Sequence, residues 1–182
     1  ERDTMLGVLP FFHIYGMVVI MSLGLHVGAT IVTMPRFDME QCLQVMQQYR
    51  VTFANVVPPI VLGLAKHPLV DQYDLRHLHT LVSGAAPLAE PVAEAASARL
   101  GCWVVQGYGL TETSPVTHAT RVERTAAPGT VRIKTAGIGP PVANTEAKVV
   151  DVTTGADLGP KQEGEICVRG PQVMKGYLNR PD

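Results

Sequence analysis

The amino-acid sequence predicts an α/β fold, a mainly parallel sheet with covering helices followed by a β-rich partial barrel. Three observations carry this expectation. Between about residue 38 and residue 106, short apolar segments alternate with helical ones, the rhythm of strands joined by helical crossovers. Beyond Thr117 the texture changes, with Thr, Pro, Gly and Val dominating and short alternating segments appearing. Finally, 46% hydrophobic content over 182 residues is enough to bury a real core and speaks against disorder.

Each element follows from a local pattern. From Gly16 to Met34 there are nineteen residues without a formal charge, a length that first suggests a membrane span. Gly24, His26 and Gly28 interrupt the run, no aromatic belt flanks it, and Thr30 to Thr33 is β-branched, so a buried helix followed by a buried strand is predicted instead. Asp38 is placed to cap a helix reaching Arg50, with Gln41 at the capping-box position and Met39, Cys42, Leu43, Met46 and Tyr49 at helical spacing. A strand over 52–57, a helix opening on proline over 59–66, a strand over 78–82, an alanine-rich helix over 89–100 and a strand over 103–106 follow. Two further strands are expected over 146–152 and 165–169, joined by a turn at 152–157. The chain thus divides into an α/β unit over residues 1–120 and a β-rich, barrel-like unit over 121–182, both incomplete, with the boundary between Thr117 and Ile138.

Composition removes several functional classes. Fifteen basic against sixteen acidic residues leave a formal charge of −1, so no global field draws the chain to nucleic acid or to an anionic membrane. Any anionic ligand is then held by local groups. Cys42, Cys102 and Cys167 are odd in number and lack any CxxC spacing, which argues against a disulfide framework or a thiolate zinc site and fits a reducing cytoplasm. The N-terminus lacks the charged-then-apolar layout of a signal peptide and does not begin with Met, which gives the chain the look of an excerpt.

In this architecture ligand loops lie at the carboxyl ends of strands, and two candidate loops occupy such places. The run Gly107-Tyr108-Gly109-Leu110-Thr111-Glu112 combines glycines for close backbone approach, an aromatic face, a hydroxyl and a carboxylate suited to Mg²⁺. Taken alone it also reads as a glycine turn entering a helix whose first turn carries Thr and Glu. The second loop, Ser83-Gly84-Ala85-Ala86-Pro87, offers a flat backbone wall, and the pair is placed to close on the two faces of an adenine. His13, in an apolar run, reads in isolation as a core histidine with one hydrogen bond. His77 and His79 read as a strand-edge pair rather than a metal site. Arg36 reads by itself as a solvated cation at a strand exit. The stretch 154–161 lacks the GxxxxGK[ST] spacing of a phosphate loop, and Ser83 lacks the GxSxG elbow of a hydrolase.

Taken together, Leu9-Pro10-Phe11-Phe12-His13-Ile14-Tyr15, Val57-Pro58-Pro59-Ile60, Tyr73-Asp74-Leu75, Ser83-Gly84-Ala85-Ala86-Pro87-Leu88, Gln106-Gly107-Tyr108-Gly109-Leu110-Thr111-Glu112 and Gly164-Glu165-Ile166-Cys167-Val168-Arg169-Gly170 resemble the adenylate-forming superfamily in order and spacing. The nearest resemblance is to the 4-coumarate-CoA ligase branch, supported by the run from Gln172 to Asn179. The resemblance covers the whole chain and implies an excerpt of the large N-terminal domain of such an enzyme. It further implies a two-step reaction, in which a carboxylic acid and ATP give an acyl-adenylate and coenzyme A then displaces AMP.

By the same resemblance, Thr111 contacts the α-phosphate and Glu112 holds Mg²⁺. Ala85, Gln106, Gly107 and Tyr108 frame the adenine end. Tyr15, Gly84, Gly109, Pro115 and Val116 surround the acyl group, with His13 orienting it, and Arg36 becomes a candidate for the phosphates of coenzyme A. Val82 stands where plant 4-coumarate ligases commonly carry lysine and Val19 where some carry serine, leaving aryl-propenoic, other aryl and medium-chain fatty acids open. The phosphate loop with its lysine, the ribose-binding aspartate motif and the C-terminal domain with its catalytic lysine are not found in these residues, so the segment alone is expected not to adenylate. Two rival readings stand beside this one. The same core serves carrier-protein loading modules and luciferases, and a non-catalytic nucleotide-binding or truncated module is the reading from another class.

Overall fold

A computed structural model of the chain describes residues 3–122 and 137–180. The expected boundary between the two units falls largely outside the described residues. Strands β1 (Thr4–Gly7), β2 (Thr30–Thr33), β3 (Phe53–Val56), β4 (Thr80–Ser83), β5 (Trp103–Gly109) and β6 (Val116–Ala119) form a six-stranded sheet in the order β2-β1-β3-β4-β5-β6. The first five are parallel and β6 runs antiparallel to β5. Strands β7 (Glu146–Val150) and β8 (Glu165–Arg169) make a separate antiparallel pair, joined through the turn at 151–157 that Asp151 organises by accepting from the Thr153 and Thr154 N–H groups.

Helix α1 is π-wound over Tyr15–Ser22 and α-helical over Leu23–Val27. Helices α2 (Met39–Gln48), α3 (Pro58–Lys66) and α4 (Glu90–Leu100) form the crossovers. Their starts follow from sequence. The Asp38 carboxylate accepts from the Gln41 N–H at 2.9 Å, satisfying one of the orphan donors of the first turn. Prolines open α3 and a single one, Pro91, falls in the first turn of α4, where a missing N–H costs nothing.

Register assigns the two faces of the sheet. Leu6, Ala54, Leu81 and Val104 lie across one face in successive strands, and all are buried with Leu43 and Met46 of α2, Val61 and Leu64 of α3, and Ala93 and Ala96 of α4. Each fully buried Leu, Val or Met side chain there contributes roughly 1.5–3 kcal/mol relative to exposure. The opposite face carries Met5, Phe53, Asn55, Val82 and Val105, alternating with the first set as a pleated strand requires.

Three sequence expectations are corrected. Residues 16–34 do form a helix followed by a strand, but neither is buried as expected. Only Gly16, Ile20 and Gly24 of α1 are buried, a single stripe, while Leu25 and Val27 are exposed. A Cβ on Gly24 would lie 2.8 Å from the Ile31 side chain, so the glycine lets this stripe press on β1 and β2. Strand β2 is at the sheet edge with β1 as its neighbour in the sheet, and its residues are accordingly only partly covered. Next, Gly107-Tyr108-Gly109 is strand, because β6 returns alongside β5 and takes up the backbone groups that a loop would leave free. Lastly β1, a strand for which the sequence carries no local pattern, lies inside the sheet between β2 and β3.

Candidate active site

The second face of the sheet is only partly covered by α1, and a cavity of about 740 Å³ opens across the remainder. Its floor includes Asn55, Val82 and Val105, its α1 side Tyr15, Val19 and Leu23, and its far wall the end of β5 with the segment that follows. His13, Tyr15, Gly84, Ala85, Gln106, Gly107, Tyr108, Gly109, Thr111, Glu112, Pro115 and Val116 all border it. Arg36 does not; it is exposed in the turn between β2 and α2. The two departures singled out in the sequence, Val19 and Val82, both border the cavity.

The Ser83–Pro87 segment leaves β4 at its carboxyl end. Ala85 has φ of 70°, a left-handed conformation that costs a non-glycine residue about 1–3 kcal/mol and tends to mark functional loops. Tyr15 donates its hydroxyl to the Val82 carbonyl at 3.2 Å, and its ring fills the space over Gly84, where a Cβ would come within 3.0 Å of it. Burial pushes the Tyr15 pKa up, so the phenol stays protonated.

Gln106 has a different use from the one its place in the motif suggests. Its Oε1 accepts from the Leu88 N–H and its Nε2 donates to the Leu88 carbonyl, both at 3.1 Å. The side-chain amide thus ties the loop after β4 to β5, and the residue borders the cavity from behind that brace.

After β5 the chain makes a short 3-10 turn, Thr111–Thr113. Buried Thr113 pins it, with Oγ1 accepting from the Leu110 N–H at 3.0 Å and donating to the Pro115 carbonyl at 2.5 Å. A Cβ on Gly109 would lie 1.8 Å from the Pro115 carbonyl oxygen, so this crossing requires glycine. The turn presents Thr111 and Glu112 at the cavity. One oxygen of Glu112, Oε1, receives the Tyr177 hydroxyl at 2.6 Å, and the Glu112 carbonyl accepts from the Met174 N–H at 2.8 Å. The Tyr177 hydroxyl, followed by the residue's own backbone N–H, holds the Glu112 pKa below the ordinary carboxylate value, and Glu112 in turn raises that of Tyr177.

His13 is exposed at the start of α1, which corrects the core-histidine reading; its Nδ1 accepts from the Tyr15 N–H at 3.1 Å, which leaves the proton on Nε2. A single partly exposed carboxylate fits Mg²⁺, which takes one or two protein carboxylates together with substrate phosphate. Among the described residues no group of three His, Cys, Asp or Glu side chains could hold a metal ion by itself. Among the described residues no helix is long and apolar enough to cross a membrane.

Two features escaped the sequence reading. Asn55 is fully buried on the cavity face, and neither its Nδ2 nor its Oδ1 has a hydrogen-bond partner among the described residues. A polar residue inside Phe53-Ala54-Asn55-Val56 was the available signal. The Tyr177 bond to Glu112 spans 65 residues and leaves no local trace.

The cavity lies over the open face of the parallel sheet and is bordered at the carboxyl ends of β4 and β5 by a small-residue loop and a Gly-Tyr-Gly strand; the chain belongs to the AMP-binding enzyme family, which it matches over residues 1–178. Among its relatives, it is 45% identical over 186 residues to 4-coumarate-CoA ligase 2 of Narcissus pseudonarcissus, covering 100% of this chain and 32% of that protein. It is similar in structure to a long-chain-fatty-acid-CoA ligase from Archaeoglobus fulgidus, with a TM-score of 0.81 and 28% identity over 98% of this chain and 36% of that one. A red-emitting luciferase from Phrixothrix hirtus superposes with a TM-score of 0.76 at 34% identity, over 100% of this chain and 30% of the luciferase. The chain spans about a third of the length of the curated relatives it matches.

Proposed function

We propose that this chain is the acyl- and adenine-binding part of a longer ATP-dependent carboxylate-CoA ligase. The observation that carries the reading is the convergence on one cavity of the Gly84-Ala85 loop, the Gly107-Tyr108-Gly109 strand and the Thr111-Glu112 turn. In the first step an oxygen of the carboxylate attacks the α-phosphorus of ATP, pyrophosphate leaves with the broken P–O bond, and an acyl-adenylate forms. In the second, the thiol of coenzyme A attacks the acyl carbon and AMP departs. Most of the acceleration is positioning and charge stabilisation.

Ala85 and Tyr108 enclose the adenine, with Gln106 fixing one wall against the other. Thr111 donates to the α-phosphate and Glu112 holds Mg²⁺, which would offset the phosphate charge. His13 orients the carboxylate through the proton on Nε2. Tyr15, Gly84, Gly109, Pro115 and Val116 enclose the acyl group, and Arg36, apart from the cavity, meets the phosphates of coenzyme A. Residues 1–120 supply these contacts, and Met174 and Tyr177, from the unit assigned to residues 121–182, reach back to Glu112. The three free cysteines suit a reducing cytoplasm.

The acid is an aryl-propenoic or medium-chain fatty acid. Val19, Val82 and Val105 suit an apolar body, and the Asn55 amide favours one whose far end carries a hydrogen-bonding group. The luciferase likeness favours one alternative, the same adenylation with a different acceptor, and product analysis with coenzyme A, a phosphopantetheine protein or oxygen separates these.

ATP-pyrophosphate exchange by the full-length protein across hydroxycinnamic, benzoic and medium-chain fatty acids tests the reading. Acid-dependent exchange is expected, falling about a thousandfold in Glu112→Ala, a loss of roughly 4 kcal/mol of transition-state stabilisation. No exchange with any acid by a folded, ATP-binding protein would replace the enzyme reading with a nucleotide-binding module. The 182-residue segment alone is expected to give none.

A further inference from the structure

Glu112 is held at two points by a segment far along the chain. The Met174 N–H donates to its main-chain carbonyl at 2.8 Å, and the Tyr177 hydroxyl donates to its Oε1 at 2.6 Å. The same segment is anchored nearby, where the Gln172 amide donates to the Thr145 hydroxyl at 2.7 Å and to the Val116 carbonyl at 3.4 Å. The backbone bond sets where residue 112 lies, and the phenol sets where its carboxylate points.

A free glutamate side chain populates several rotamers, and holding it in one costs conformational entropy. A donor that fixes the carboxylate before a cation arrives removes that cost from binding. The donor's charge matters too. A lysine or arginine at position 177 would compete with the cation, whereas a neutral phenol fixes the carboxylate and leaves its full negative charge. Gln172, Met174 and Tyr177 belong to the run Gln172–Asn179, for which the sequence offered only a resemblance and no role.

We propose that Tyr177 is a positioning residue that orients the Glu112 carboxylate for a divalent cation bound together with nucleotide phosphates, an inference resting on the metal role given to Glu112 in the proposed function. Tyr177 does not itself touch the cation. Its side chain acts through Oε1 and through the turn that Met174 secures.

The test uses the full-length protein and its Tyr177→Phe variant, which keeps the ring and loses only the hydroxyl. Mn²⁺ bound together with a non-hydrolysable ATP analogue is followed by water-proton relaxation, a readout independent of turnover. The expected result is an Mn²⁺ affinity about tenfold weaker in Tyr177→Phe, the effect of losing one hydrogen bond to a charged group. In a Glu112→Gln background the same change is expected to add no further loss, because both act through one carboxylate. In exchange assays the Mg²⁺ requirement is expected to rise more than the limiting rate falls. Unchanged Mn²⁺ affinity in Tyr177→Phe, or an equal further loss in the Glu112→Gln background, would overturn the inference. The two readings separate cleanly. Wild-type exchange with unaltered metal affinity in the variant removes the role of Tyr177 and keeps the ligase, while absent exchange removes the ligase and leaves the relaxation measurement to decide Tyr177.

Discussion

Adjacent residues of β4 belong to different parts of the molecule. Leu81 is completely buried among the helices, whereas Val82 borders the cavity on the other side of the same sheet. Between β3 and β5 the division repeats, with Ala54 and Val104 on the packed face and Asn55 and Val105 on the open one. A period of two thus separates the packed core from the cavity at single-residue resolution. The packed face is closed by three helices, while the open face keeps room for ligand at the cost of leaving Asn55 without a protein partner among the described residues.

The comparison is most strongly tested on the packed face. Leu81→Ala is expected to lower stability by about 2–5 kcal/mol through lost burial and a residual cavity, read as a shifted denaturation midpoint, with the order of preferred acids unchanged. An altered acid preference would mean that the two faces are not independent. On the open face, Asn55→Leu is expected to act in the opposite sense. Removing an unpartnered buried amide raises stability by about 1–3 kcal/mol, and exchange assays should show the ratio of hydroxylated to unsubstituted acid falling about tenfold. A loss of stability there would show that the amide is already satisfied in the full-length protein. The smallest effect is away from both faces, at the cap of α2. Asp38→Ala is expected to cost about 1 kcal/mol in thermal or denaturant unfolding and to leave exchange untouched, since only the Gln41 N–H loses its acceptor.

The legible parts of the fold were those set by local chemistry. Asp38 and the helical spacing from Met39 specify α2, and a proline marks the start of α3, expected at Pro59 and found one residue earlier, at Pro58. Strand β1 escaped because Thr4–Gly7 is four residues without a repeating pattern, and only parallel neighbours on both sides make it a strand. The Gly-Tyr-Gly run reads as a loop in the sequence because its glycines suit a turn and close backbone approach to a ligand. Here close approach overrides propensity, since β6 crosses so near that position 109 has no room for a Cβ. The candidate site was legible where residue type and motif coincide, as at Gly84, Tyr108 and Glu112. It was not legible where a role depends on which way a side chain turns. Gln106 points to Leu88 on the packed side of the sheet, a direction fixed only once β4 and β5 are paired in register.

The clasp on Glu112 also bears on how such chains can be recombined. Any crossover placed after residue 112 and before residue 172 would join a carboxylate from one parent to a tyrosine and an amide from another. Joined parents that differ in the length or path of the intervening segment would keep every residue of the glycine-tyrosine run and still present the carboxylate at the wrong angle. A swap that carries Thr111-Glu112 and Gln172–Tyr177 together transfers the working unit, although in sequence it is two pieces.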